Sequence, residues 1–256
     1  MKHNHNLVIS GKKTYNSNYV ELELSRTGGT LPEILPGQFV EIEVPGNKDV
    51  FLRRPVSVHD VDYGKGTLSL LIQIVGKGTR TLSQLNEGAQ VNLIYPLGHG
   101  FSMEGRKVLL VGGGAGVAPL LYTAKKYIEK GVVPVILLGG RTADLIPAKE
   151  KFQALGNVHF ATDDGSLGEK GLVTEHSVFS EKYDIIATCG PTPMMKAVAR
   201  HAGKNGIPCE VSLENMMACG LGACLCCVAK TDHGHKCVCK EGPVFKAEDL
   251  TQWYNS

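Results

Sequence analysis

Cys219, Cys224 and Cys227 are spaced C-x4-C-x2-C, the plant-type pattern by which one short loop presents three thiolates to a [2Fe-2S] cluster. Gly220 and Gly222 stand between the first two thiols, where a tight loop needs free backbone angles and close amide approach to sulfide. A fourth ligand must come from farther on, where Cys237 and Cys239 are both available. Six of the eight cysteines fall between Cys219 and Cys239, and the first 188 residues contain none. A disulfide framework would be spread along the chain, so this clustering indicates a local metal centre in a reducing compartment. Zinc is the alternative occupant. Its ligands usually come as two separate C-x2–4-C hooks, whereas here the two steps share Cys224.

A second motif is Gly112-Gly113-Gly114-Ala115-Gly116, directly after the apolar run Val108–Val111. A strand ending in almost bare backbone exposes amides at a helix start, where a pyrophosphate binds. The run departs from G-x-G-x-x-G at Val117, and Gly139-Gly140-Arg141 replaces the usual acidic end of the second strand. A mere tight turn is the competing reading. Cys189-Gly190-Pro191, at the end of a later strand, lies where the reacting end of a nicotinamide is expected in an open sheet. In the first hundred residues, Arg53-Arg54-Pro55-Val56-Ser57 closes a strand and Gly78-Thr79 precedes a helix expected over Arg80–Leu85. A guanidinium and a helix N-terminus converging on one spot make a diphosphate site that suits FAD; a surface arginine and a turn glycine are the alternative.

The elements that must position these groups fall into three textures. Short β-rich runs (Leu7–Ile9, Tyr19–Leu24, Gln38–Val44, Val56–Val58, Leu68–Val75, Gln90–Tyr95) predict a small antiparallel barrel over 1–103. Strands at Val108–Val111, Val132–Leu138, Val158–Ala161 and Tyr183–Thr188 alternate with helices at Pro119–Lys130 and beyond Pro193, predicting a parallel α/β sheet over 104–209. After Pro208 the rhythm stops, leaving 210–256 as the cysteine-rich segment. At 256 residues and 43% hydrophobic content the chain can bury a large core. A net charge of +2, with basic residues dispersed, gives no footprint for nucleic acid or an anionic membrane. No apolar run nears the roughly 20 residues of a membrane span and the start lacks a secretory core, so a cytoplasmic location is expected.

The order of parts, R-P-V-S in a barrel followed by G-G-G-A-G-V-A-P and C-G-P in a nucleotide sheet, resembles the ferredoxin–NADP reductase superfamily. With Asp163-Asp164-Gly165-Ser166, Met217–Cys224 and the trailing Val238-Cys239-Lys240-Glu241-Gly242-Pro243-Val244-Phe245, the chain is similar over its whole length to electron-transfer subunits of NAD-linked dihydroorotate dehydrogenases. The resemblance implies a flavin barrel, an NAD sheet and a small [2Fe-2S] domain. It implies FAD contacts at Arg54, Pro55, Val56 and Ser57, at Leu71, Ile72 and Gln73, and at Gly78 and Thr79. Ile72 and Gln73 replace the aromatic and basic residues frequent in that family. NAD(H) contacts are implied at Gly112–Gly116 and Cys189–Pro191, with Ser57 and Cys189 nearest the flavin and nicotinamide. It selects Cys239 over Cys237 as fourth ligand beside Cys219, Cys224 and Cys227, leaving Cys226 and Cys237 as spare thiols.

A hydride carries two electrons and the cluster takes one, so a flavin must stand between them. The resemblance implies an FMN-containing partner subunit that interconverts dihydroorotate and orotate, two copies of each, with Met216, Met217 and Leu221 at the contact. NADH is favoured as donor, because Asp163 and Asp164 would repel a 2′-phosphate, although Arg141 could attract one. Two alternatives remain: a diaphorase of the same architecture serving a hydrogenase, a sulfur reductase or a glutamate-synthase-like enzyme, and a non-catalytic zinc-containing module.

Overall fold

The computed structural model describes residues 1–251 and 253. Six strands close the N-terminal barrel: β1 (His3–Asn16), β2 (Tyr19–Arg26), β3 (Phe39–Ile42), β4 (Arg54–Asp62), β5 (Thr67–Gln73) and β6 (Gln90–Leu97). They pair antiparallel in the order β1-β2-β5-β4-β3-β6, with β6 returning to β1, so no edge is left open. Alternate side chains fill the interior, among them Leu7 and Ile9, Leu22 and Leu24, Val40 and Ile42, and Leu68 and Leu70. β1 is fourteen residues long because it serves two neighbours, β6 along His3–Val8 and β2 along Leu7–Asn16. A register shift between Ile9 and Gly11 bends it from one to the other.

The barrel's helix α1 (Lys77–Gln84) starts before the expected Arg80, so Gly78 and Thr79 lie inside its first turn rather than ahead of it. The Thr79 hydroxyl causes the extension: it accepts the N–H groups of Val75 and Gly76, supplying the N3-to-N-cap half of a capping box whose other half the side-chain-less Gly76 cannot make.

The second layer follows as β7 (Val108–Gly113), α2 (Ala118–Glu129), β8 (Val135–Gly140), α3 (Lys149–Gln153), β9 (Val158–Thr162), β10 (Glu169–Lys170), β11 (Ile185–Cys189), α4 (Thr192–Lys204) and β12 (Cys209–Ser212). The C-terminal segment contributes β13 (Val228–Thr231), β14 (Gly234–Cys237), α5 (Val238–Glu241) and β15 (Val244–Lys246). The large sheet has the order β10-β9-β8-β7-β11-β12-β15. Its central strands are buried at every residue but Gly140 at the end of β8, as expected of parallel strands covered on both faces. β8 begins at Val135 rather than Val132 because Pro134 has no N–H to give a ladder and the Val132 N–H closes the end of α2 on Tyr127.

The rhythm does not stop at Pro208. β12 pairs parallel with β11, and β15 returns antiparallel on β12. The polar Cys209, Glu210 and Ser212 mask this strand in the sequence, yet all three are buried. The chain order reverses between β7 and β11, and the carboxyl ends of those two strands lie side by side, Cys189 opposite Gly112. Such a crevice is where open α/β sheets take their ligands.

Candidate functional site

At that crevice lies a cavity of about 780 Å³. Gly113 and Gly114 from the end of β7, Gly140 and Arg141 from the end of β8, Asp163 after β9 and Pro191 after β11 form its sheet side. Asn18, Tyr19 and Gln73 close it from the barrel. The five residues of the glycine run divide their work. Gly113 and Gly114 face the cavity, Ala115 faces a second groove, and Gly112 and Gly116 stay behind the wall. Gly116 is needed for contact, since a Cβ there would overlap the Cys189 carbonyl. Of the two acids expected near an adenosine, only Asp163 lines the cavity. Asp164 accepts the N–H and hydroxyl of Ser166, which hold its carboxyl below the usual range.

The second groove, about 300 Å³, gathers Pro55, Val56 and Ser57 from β4, Leu71, Ile72 and Gln73 from β5, and Thr79 from α1. Three stretches far apart in sequence thus form one wall. Arg54 and Gly78 stand just outside it and against each other: a Cβ on Gly78 would sit 2.5 Å from Arg54 Nε. The Arg54 guanidinium therefore lies over the first turn of α1, and among the described residues it makes no ion pair. Cation and helix N-terminus together fit a diphosphate. Gln73 belongs to both walls, so ligands filling the cavity and the groove would meet beside it.

The opposite wall of the groove is Leu213–Met217, continuing from β12. Glu214 in this stretch has no place in the motif reading, although an acid at the carboxyl edge of a strand beside the crevice could have marked it. Its carboxyl opens onto the groove but is closely packed by protein, and that desolvation pushes it up. Cys189 Sγ is 3.9 Å from Glu214 Oε1, and burial, then the Glu214 charge, keeps the Cys189 thiol protonated. Gly190 and Pro191 follow at the same edge.

Two residues beyond Met217 the cysteine loop begins. Burial pushes the Cys219 thiol up, but the N–H groups of Leu221, Cys224 and Ala223 outweigh it and bring the thiol down to about 6. The Leu221 N–H lies 3.3 Å from Cys219 Sγ. Cys227 is buried and accepts the Cys239 N–H at 3.4 Å, while Cys224 is exposed on the outer side of the loop. The hairpin β13–β14, unmarked in the motif reading, turns the chain back so that Cys239 in α5 reaches Cys227. Amide donors directed at thiolate sulfur are the environment a [2Fe-2S] cluster requires, and these four residues fit one. Cys226 is exposed, whereas Cys237 is buried and approaches the Gly222 carbonyl at 4.0 Å. Among the described residues, no three Cys, His or acidic side chains converge as a single metal ion would need.

Under this loop lies a residue absent from the motif reading. Glu41 on β3 is 1% exposed, both its carboxylate oxygens lack a hydrogen-bond partner, and burial pushes it up to about 7.

A closed antiparallel barrel, a parallel nucleotide sheet with its crevice beside the barrel, and a thiol-rich arm define a protein of the ferredoxin reductase class. The same architecture is found in the NADH-dependent reduced ferredoxin-NADP oxidoreductase, with a TM-score of 0.86 and 32% identity over 96% of this chain and 89% of that one. Phthalate dioxygenase reductase shares the fold at a TM-score of 0.65 and 20% identity, covering 78% of this chain and 64% of that one. Residues 214–251 match the model of the iron-sulfur cluster binding domain of dihydroorotate dehydrogenase B. The electron transfer subunit of dihydroorotate dehydrogenase B (NAD(+)) from Caldanaerobacter subterraneus subsp. tengcongensis is 46% identical, covering 84% of this chain and 86% of the relative. That from Bacillus caldolyticus is 40% identical, covering 89% and 91%. The chain belongs to this family of electron transfer subunits.

Proposed function

We propose that the chain passes electrons from NADH, through FAD and a [2Fe-2S] cluster, to a separate FMN-containing subunit that interconverts dihydroorotate and orotate in pyrimidine biosynthesis. The observation that carries this reading is the Leu213–Met217 stretch: it walls the groove beside Ser57 and Gln73, then runs within two residues into Cys219. One short piece of backbone thus joins the flavin groove to the thiolate loop. When bound, FAD turns a two-electron hydride donor into a source of single electrons that the cluster can accept.

The protein supplies position and field. Gly113 and Gly114 offer backbone to a dinucleotide pyrophosphate, with Gly112, Ala115 and Gly116 building the turn, and the Cys189-Gly190-Pro191 edge places the nicotinamide. Pro55–Ser57 and Leu71–Gln73 hold the flavin ring, while Arg54 with Gly78 and Thr79 at the start of α1 takes its diphosphate. The Cys189 thiol is buried behind that edge, and the Glu214 carboxyl faces the groove beside it. Cys219, Cys224, Cys227 and Cys239 are the cluster ligands. Asp163, facing the cavity beside Arg141, favours a ribose hydroxyl over a 2′-phosphate and hence NADH.

Around the loop, Met216, Leu221 and Leu225 are exposed at 85%, 43% and 65%, an apolar rim suited to a protein partner. A complex of two subunits of each kind, in the cytoplasm, follows from the family resemblance; no helix among the described residues is long and apolar enough to cross a membrane. Anaerobic titration with NADH tests the reading. Bleaching of flavin absorbance followed by a paramagnetic iron signal is expected, and the absence of both would end it.

The 32% identity to an NADH-dependent ferredoxin-NADP oxidoreductase supports a second reading, the same carrier serving another enzyme. Affinity purification separates the two: an orotate-reducing flavoprotein supports the first, a hydrogenase the second.

A further inference from the structure

Glu41 is an anomaly. It lies on β3 between Val40 and Ile42, which point into the barrel core, so its own side chain points outward with that of Phe39. That outer face is apolar. Phe39 and Leu97 pack there in one cluster with Cys227, Cys237, Cys239 and Phe245 of the C-terminal segment. A carboxyl with two orphaned oxygens in such an interface is costly, and a hydrocarbon of the same shape would bury more cheaply. Arg53 and Arg54 offset part of this cost through space, but neither bonds to the carboxyl. Arg53 donates to the carbonyls of Glu41 and Asn92, to Asn92 Oδ1 and to the Glu43 carboxylate, not to the Glu41 carboxyl.

What the Glu41 side chain touches is the cysteine loop. A Cβ on Gly220 would sit 2.5 Å from Glu41 Cγ and 2.8 Å from Oε1, and Gly220 holds a φ of +64° immediately after Cys219. The main chain of Glu41 is tied to the other cofactor groove, since Glu41 is opposite Pro55 in the β3–β4 ladder. One residue therefore links the strand next to the flavin groove with the first turn of the thiolate loop.

We propose that Glu41 is a positioning residue of the cluster: its carboxyl fills the space under Gly220, fixes the Cys219–Cys224 turn against the barrel, and sets the electrostatic field at Cys219. This gives a role to an acid that stands where packing alone favours leucine. A negative charge there opposes the arrival of an electron, holding the cluster at a lower potential than an apolar neighbour would.

The inference rests on the cluster assignment, and the test separates the two. The whole purified protein is compared as wild type, Glu41→Gln and Glu41→Leu, by iron and sulfide content, by the EPR spectrum of the reduced cluster, and by its midpoint potential. Wild type without an iron signal would mean that the cluster reading itself fails. With the signal present, both variants should raise the midpoint by the equivalent of roughly a tenfold change in the reduction equilibrium, about 59 mV for one electron. Glu41→Leu should also broaden or shift the EPR features while retaining or raising thermal stability. Spectra and midpoints identical to wild type in both variants would overturn the proposal, whatever happens to stability.

Discussion

The backbone of Gly116 rests directly against the carbonyl of Cys189, joining the turn after β7 to the end of β11 at the point where the order of the sheet reverses. Gly116→Ala must push these two strand ends apart. The expected result is a rise of tenfold or more in the KM for NADH in dye reduction, with flavin still bound, because the groove in the barrel is built from other residues. An unchanged KM would show that this contact does not shape the dinucleotide cavity.

Arg54 lies over Gly78 in the first turn of α1. Replacing it by alanine removes one charge-assisted contact to a diphosphate, worth about 1.5–3 kcal/mol. Flavin should be lost on dilution or gel filtration at concentrations where wild type keeps it, and the absorbance ratio of flavin to protein reports this. Equal flavin retention would move the diphosphate elsewhere.

Cys224 is exposed on the outer side of the loop, yet its N–H and thiol help to lower Cys219. Cys224→Ser should lose the iron signal and block orotate-linked turnover, while NADH-driven reduction of an artificial acceptor persists in part. A variant with full iron content and full turnover would remove Cys224 from the ligand set.

Leu225 projects from the loop at 65% exposure, with a φ of +57°. Leu225→Asp places a charge in the apolar rim and should weaken partner binding by about 2 kcal/mol, measured by calorimetry, leaving the EPR spectrum unaltered. Undiminished binding would direct the search for the partner surface away from the cluster.

His59 is wholly buried between the barrel and helices α2 and α3. Its Nδ1 is 2.8 Å from the Ala118 carbonyl, its Nε2 has no partner, and burial lowers its pKa below the ordinary value of 6.5. The unfolded chain then binds the proton that the folded protein refuses, so this contribution to stability is intact above pH 6.5 and is lost as pH falls below it. Denaturant unfolding between pH 7 and pH 5 should show stability declining by up to about 1.4 kcal/mol per unit from this group, and His59→Phe should flatten the decline. Parallel curves for the two proteins would rule His59 out as the source.

The motifs that needed only local spacing were legible in the sequence. Gly113 does end a strand, with Gly114 next in the turn, and the Cys219–Cys227 loop does receive its own amides, whereas the pairing of Ser57 with Gln73 in one groove came from the family resemblance. Contacts made across the fold were not. Glu214 is an ordinary acid until β12 is seen beside β11, and β12 is hidden because its buried residues include Cys209, Glu210 and Ser212. Glu41 reads as the polar position of an alternating strand, and only the packing of the C-terminal segment on the outside of the barrel buries it. The extra turn of α1 depended on one side chain, Thr79, reaching back to its own N-cap.

β15 gives the cysteine arm a consequence for kinetics. The arm leaves the sheet after β12 and returns to it at β15, and its neck is closed by the Leu213 N–H donating to the Pro243 carbonyl and the His99 N–H donating to Gly242. It is a closed loop stitched into the sheet, not a tethered lobe. Both ends of the arm are therefore anchored to the sheet whose continuation, Leu213–Met217, walls the groove. On the proposed cofactor assignment, passage from flavin to cluster then requires no swinging of the arm.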